Sequence, residues 1–117
     1  MGAVLIVDDT EDCADPLARF LRMNGHTVEC AGNGMDALAL LARWRPDVIL
    51  LDLMMPVMDG VSFLEVMRRN AAWKDVRVVV FSGYGDGLPA RRLADLGVGH
   101  VFLKGSTDFK QLLKVIA

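Results

Sequence analysis

The sequence predicts an α/β domain built on an open, doubly wound, five-stranded parallel sheet, and two observations carry that expectation. Five short apolar runs rich in β-branched residues alternate with stretches of helical periodicity along the chain. Two of the runs, Val4-Leu5-Ile6-Val7 and Val48-Ile49-Leu50-Leu51, are apolar at every position, as strands covered on both faces must be. Each runs directly into aspartate, Asp8-Asp9 in one case and Asp52 in the other.

Ala3–Val7 is the first strand. Cys13, Leu17, Phe20 and Leu21 then mark a helix. Pro16 falls inside that pattern, and a late start accommodates it, with Asp15 as cap and proline at the first helical position. Asn24-Gly25 ends the helix, and Thr27–Cys30 is the second strand. Asn33 caps a second helix carrying Ala37, Leu38 and Leu41. After the third strand, Val48–Leu51, Asp59 caps a helix carrying Phe63, Leu64 and Met67. Val76–Phe81 is the fourth strand, followed by a short helix over roughly Leu88 to Leu96 that Gly97 terminates. His100–Leu103 is the fifth strand. Phe109, Leu112, Leu113 and Ile116 follow the i, i+3, i+4, i+7 pattern of a closing helix, with Ser106-Thr107 as its expected start.

At 117 residues the chain reads as one domain, residues 1–117, able to bury roughly two thirds of its unfolded surface. Hydrophobic residues make up 53%, but every apolar run is far shorter than a membrane span, so no membrane insertion is expected. No cationic segment precedes the first apolar stretch, which argues against a secretory signal and for a cytoplasmic protein. Cys13 and Cys30 have neither CxxC spacing nor a histidine pair nearby and are expected to be small core residues. A net charge of −2, from 15 acids and 13 bases, argues against direct nucleic-acid binding.

In open parallel sheets, ligands bind beyond the carboxyl ends of the strands. The residues at those ends are Asp8 and Asp9, Asp52, Ser82 and Lys104. Three carboxylates together need a cation or partial protonation, and their hard oxygens suit Mg²⁺. A lysine supplies a compact positive charge opposite an anionic group, and a hydroxyl can donate a hydrogen bond to it. The set fits phosphoryl transfer to a carboxylate.

Across nearly its whole length the chain resembles the receiver domain of two-component response regulators. The resemblance rests on Val4-Leu5-Ile6-Val7-Asp8-Asp9, Asn33-Gly34 with Ala37-Leu38, Pro46-Asp47 through Met55-Pro56 followed by Met58-Asp59-Gly60, then Ser82 and Lys104. It implies a flavodoxin-like (βα)5 fold with strand order 2-1-3-4-5. It further implies that Asp52 is the phosphoacceptor, served by a sensor histidine kinase, a histidine phosphotransfer protein or a small acyl phosphate. Asp8, Asp9, Asp52 and the main-chain carbonyl of Met54 would hold Mg²⁺, Lys104 would pair with a phosphoryl oxygen, and Ser82 would move to hydrogen-bond another. A downstream protein target would read the change, and a homodimer could form through the face made by the fourth helix, fifth strand and fifth helix.

Two positions depart from the family pattern. Lys104 is followed by Gly105 rather than proline, which bears on where the lysine side chain goes. Val101 stands where the family often has an aromatic switch, with Phe102 on the opposite face of the strand. Activation is then expected to run through the segment from Ser82 to Leu88, with Gly83, Gly85 and Gly87, and through the fourth helix. Met54, two places after Asp52, cannot orient a water, so slow self-dephosphorylation is expected, while Tyr84 occupies the second tuning position.

Two other functions compete with the switch. A metal-dependent phosphohydrolase would want a second acid where Met54 stands and a cap for which no residues remain. A phosphorylation-independent interaction module would keep the fold alone, against the retention of all three acids, Ser82 and Lys104. Neither GxGxxG nor GxxxxGK[ST] follows the first strand, so nucleotide binding is not expected.

Overall fold

The computed structural model describes residues 2–9, 16–53, 57–83 and 89–116. Their elements follow in strict alternation: β1 (Ala3–Val7), α1 (Pro16–Met23), β2 (Thr27–Ala31), α2 (Gly34–Leu41), β3 (Val48–Leu51), α3 (Gly60–Arg69), β4 (Arg77–Ser82), α4 (Ala90–Asp95), β5 (His100–Leu103) and α5 (Phe109–Ile116). The strands form one parallel sheet in the order β2-β1-β3-β4-β5, the expected topology.

Side chains alternate across a strand, so each apolar strand feeds two cores. Leu5, Val7, Ile49, Leu51, Val78 and Val80 face α2, α3 and α4, where Leu41, Phe63, Leu64, Met67 and Leu93 meet them. Val4, Ile6, Val48, Leu50, Val79 and Phe81 face α1 and α5, against Leu17, Leu21, Leu112 and Ile116. Burial of β1 and β3 from both sides is what their uninterrupted apolar sequences encode.

Helix starts follow local side-chain chemistry. Asn33 Oδ1 accepts from Asp36 N at 2.9 Å and Asp59 Oδ1 from Ser62 N at 2.8 Å, each cap worth about 1 kcal/mol. α1 begins at Pro16 as expected, while its predicted cap Asp15 and the periodic residue Cys13 lie outside the described residues. Gly25 and Gly97, with φ of 89° and 81°, follow α1 and α4.

Several expectations need correction. α5 is started by Asp108, not Ser106-Thr107: Asp108 Oδ1 accepts from Gln111 N at 3.0 Å while Gln111 Oε1 accepts from Asp108 N at 2.9 Å. That reciprocal capping box satisfies two orphan donors, which neither Ser106 nor Thr107 does here. β4 runs one residue later than predicted, because Val76 N closes a turn onto Trp73 O and pairing with β3 begins at Arg77. Cys30 is half-buried and disulfide-bonded rather than a core thiol. Pairing is set by distance in the fold, which sequence spacing does not carry, and the other cysteine, Cys13, lies outside the described residues.

Arg68 ties α3, the chain entering β4 and the end of α4 together. Its guanidinium donates to Val76 O at 2.7 Å, Leu96 O at 2.8 Å and Lys74 O at 3.0 Å. Burial lowers its pKa from the ordinary arginine value, against a smaller opposing effect of Asp75. No helix among the described residues is long and apolar enough to cross a membrane.

Candidate functional site

The sheet register sets the site. Val7 is level with Leu51, so Asp8 and Asp52, the next residue of each chain, lie side by side beyond the carboxyl ends of β1 and β3. Asp8 N donates to Ala31 O at 3.0 Å and Asp52 N to Val7 O at 2.9 Å, which carries the ladder one step past the strands and holds both backbones. Asp8, Asp9 and Asp52 each present a carboxylate oxygen within 4.8 Å of the other two. Asp52 is buried, Asp8 half-buried and Asp9 exposed, so the cluster opens to solvent on the Asp9 side.

β4 and β5 supply the other two groups. Ser82, fully buried at the end of β4, donates from Oγ to Asp52 Oδ1 at 2.8 Å. Lys104 follows β5, and its backbone N donates to Ser82 O at 3.0 Å, tying the two chain ends together. Its Nζ donates to Asp8 Oδ2 at 2.5 Å and to Asp52 Oδ2 at 3.3 Å. Burial on its own would lower the Lys104 pKa, but the hydrogen bond to Asp8 and the charges of Asp8 and Asp52 outweigh it and raise the pKa. The ammonium therefore stays charged and offsets part of the carboxylate repulsion. Gly105 does not divert the side chain: no peptide bond among the described residues is cis, and Lys104 still reaches both acids.

Four of the five predicted strand-end residues thus form one hydrogen-bonded network, with Asp9 beside it. Met54, whose carbonyl was a predicted metal ligand, and Tyr84, Gly85, Gly87 and Leu88 of the predicted signalling segment lie outside the described residues. Val101, level with Val80 on the α4 side of the sheet, is 41% exposed, while Phe102 packs on the other side against the α1 and α5 core, as the strand alternation requires.

Sequence reasoning missed three supporting features. Gly60 sits so close to the acceptor strand that a Cβ there would lie 2.7 Å from Asp52 O and 2.8 Å from Leu53 Cα. Val57 adopts φ 69° and is 80% exposed. The Lys104 ammonium also lies 6.0 Å from the centre of the Phe81 ring. Only Gly60 left a trace in the sequence, as the glycine directly after the Asp59 cap.

A buried carboxylate, two further acids within reach of one cation, and a hydroxyl and a lysine converging on that carboxylate make one polar site at the carboxyl edge of a doubly wound sheet. The comparisons agree. The chain belongs to the response regulator receiver domain family, whose model matches residues 4–117. Such a domain is a phosphorylation-dependent signalling switch.

Response regulator MprA of Mycobacterium ulcerans is 38% identical over 96 residues, covering 82% of this chain and 40% of that protein. Transcriptional regulatory protein PrrA of Mycobacterium leprae is 46% identical over 79 residues, 68% of this chain and 33% of that protein. The chain therefore spans well under half the length of these relatives. Among solved structures, chemotaxis protein CheY4 of Vibrio cholerae has a TM-score of 0.88 at 28% identity, covering 99% of this chain and 96% of that one. The Mn²⁺-bound form of response regulator Rcp1 has a TM-score of 0.80 at 26% identity, covering 99% and 89%.

Proposed function

We propose that Asp52 accepts a phosphoryl group from a phosphohistidine of a sensor histidine kinase or histidine phosphotransfer protein, and that the resulting acyl phosphate alters the surface a downstream protein target reads. The observation that carries this is the convergence of Ser82 and Lys104 on Asp52, the one buried carboxylate among the described residues. An Asp52 oxygen forms the new P–O bond as the P–N bond to the donor imidazole breaks. Lys104, already charged between Asp8 and Asp52, is placed to pair with a phosphoryl oxygen. Ser82 can turn its hydroxyl from the carboxylate to a second phosphoryl oxygen without leaving the pocket.

The donor set fits Mg²⁺: three hard carboxylates lie within reach of one ion, and the exposed Asp9 leaves room for water. Asp8, Asp9, Asp52 and the Met54 carbonyl would hold it. When bound it neutralises charge that accumulates between the acceptor and the incoming phosphoryl oxygens. Met54 offers no group to orient water, and slow self-dephosphorylation follows; a phosphoryl lifetime of seconds would contradict this.

The cytoplasm is the compartment in which such a switch meets its kinase. A homodimer through the α4-β5-α5 face is supported by the exposure of Val101 and Leu103 on β5. Direct nucleic-acid contact is not part of the reading, given the net charge of −2.

Intact mass after incubation with Mg²⁺ and acetyl phosphate tests the proposal. One added phosphoryl group is expected, absent from Asp52→Ala and from a sample stripped of metal by chelator. No adduct from acetyl phosphate or from a panel of kinases would leave an interaction module, and steady phosphate release far beyond one equivalent would point to a phosphohydrolase.

A further inference from the structure

The chain has two tryptophans, and both line one groove of about 490 Å³ beyond the carboxyl-terminal ends of α2 and α3. Trp44 lies in the connection from α2 to β3 and Trp73 in that from α3 to β4, so the groove sits at the amino-terminal ends of the strands. That is the opposite end of the sheet from Asp52, and the face is not that of α4, β5 and α5. Neither tryptophan is needed to bring the acidic site together.

We propose that this groove docks an acidic segment of a partner protein, one that alternates carboxylate and aliphatic side chains. Trp44 and Trp73 are the apolar anchors and Arg43 and Arg45 the cations that select it.

Both indoles are half-buried, one side packed against the core that includes Leu41 and Phe63. They are held before any partner arrives, so little side-chain entropy remains to be lost on binding. Arg45 donates from Nη1 to Ala72 O across the groove, which links its two walls. Tryptophan and arginine are also the residue types that dominate binding hot spots.

The charge around the groove is one-sided in a chain whose net charge is −2. Arg43 and Arg45 line the groove, and no acid is among its lining residues. Arg43 is exposed and pairs with no acid among the described residues. The nearest acids in sequence face elsewhere: Asp47 accepts from Ala3 N, and Asp75 acts on the half-buried Arg68. Carboxylates complement this patch.

Because the only tryptophans are in the groove, intrinsic fluorescence reads its occupancy directly. The probe is a short peptide of alternating glutamate and leucine, added to the protein without Mg²⁺ or phosphoryl donor, so the result is independent of phosphorylation. A saturable emission change is expected, weakened about ten-fold by Arg43→Glu and less by Arg43→Gln. Arg91→Glu, an equal charge change on exposed α4, should alter affinity by less than about two-fold. Circular dichroism of each variant confirms that it is folded. Absence of a saturable change would overturn the proposal, as would an equal response to the lysine and leucine counterpart or equal weakening by Arg91→Glu. Tighter binding of single-stranded oligothymidylate would assign the groove to nucleic acid instead. An emission change with protein concentration alone would assign it to a second copy.

Discussion

Ser82 Oγ donates to Asp52 Oδ1 at 2.8 Å, and both residues are buried. The hydroxyl that the sequence expects to travel toward the phosphoryl group is already at the acceptor carboxylate. On the function proposed above, Ser82 would change partner from a carboxylate oxygen to a phosphoryl oxygen, and the bond between Lys104 N and Ser82 O couples the end of β4 to the end of β5.

Replacing the hydroxyl tests this relationship. Ser82→Ala should remain an Asp52 acceptor, with phosphorylation by acetyl phosphate slowed roughly ten-fold for loss of one donor to the developing charge. Ser82→Thr should restore most of the rate. Time courses of intact mass decide it, and an unchanged rate in Ser82→Ala would remove the hydroxyl from the reaction.

The carboxylate cluster predicts a metal-linked stability. An ion that binds the folded chain alone, present at 100 times its Kd, adds about 2.7 kcal/mol. For a domain of this length that is an increase in Tm of roughly 8–15 °C. Thermal melts with Mg²⁺ and with chelator should show this difference in the native chain and lose most of it in Asp9→Asn. The Asp9 substitution leaves the buried network untouched, so its melt in chelator should match the native one or lie above it.

Gly60 predicts a localised cost. An added methyl would meet Asp52 O, Leu53 Cα and Leu53 Cδ2 at 2.7, 2.8 and 2.9 Å, and two of those atoms are backbone. Gly60→Ala should therefore destabilise by about 1–3 kcal/mol and slow phosphorylation, because relief requires the acceptor strand to shift. Urea unfolding measures the first effect and phosphorylation time courses the second. Full stability would show that α3 can retreat without disturbing Asp52.

Val57 predicts the opposite sign. A β-branched residue at φ 69° is strained, and at 80% exposure its side chain has little packing to compensate. Val57→Gly should stabilise by about 0.5–1 kcal/mol, the relief of left-handed strain less the greater freedom of glycine in the unfolded chain. Denaturant midpoints check this, and a lower midpoint would mean that the valine side chain makes stabilising contacts.

The sequence by itself determined the strands of this protein and most of its site. Strands such as Ala3–Val7 and Val48–Leu51 have no polar face to confuse their boundaries, and parallel topology sends every strand's carboxyl end to one edge of the sheet. Asp8, Asp9, Asp52, Ser82 and Lys104 were therefore legible as a group from position alone. Helix starts were legible where one capping residue stood alone, as at Asn33 and Asp59. At α5, Ser106, Thr107 and Asp108 all could cap, and the choice fell to whichever had a partner in Gln111.

Tertiary structure alone decided what depends on distance between remote segments. The pairing of Ser82 with Asp52, the reach of Lys104 despite Gly105, the bonded state of Cys30 and the placing of Trp44 and Trp73 on one groove all arise from register and packing. Periodicity reports which face of an element is buried. It does not report which atom of another element comes to lie within 3 Å of it, because that distance is set by the whole sheet and both its helical layers together.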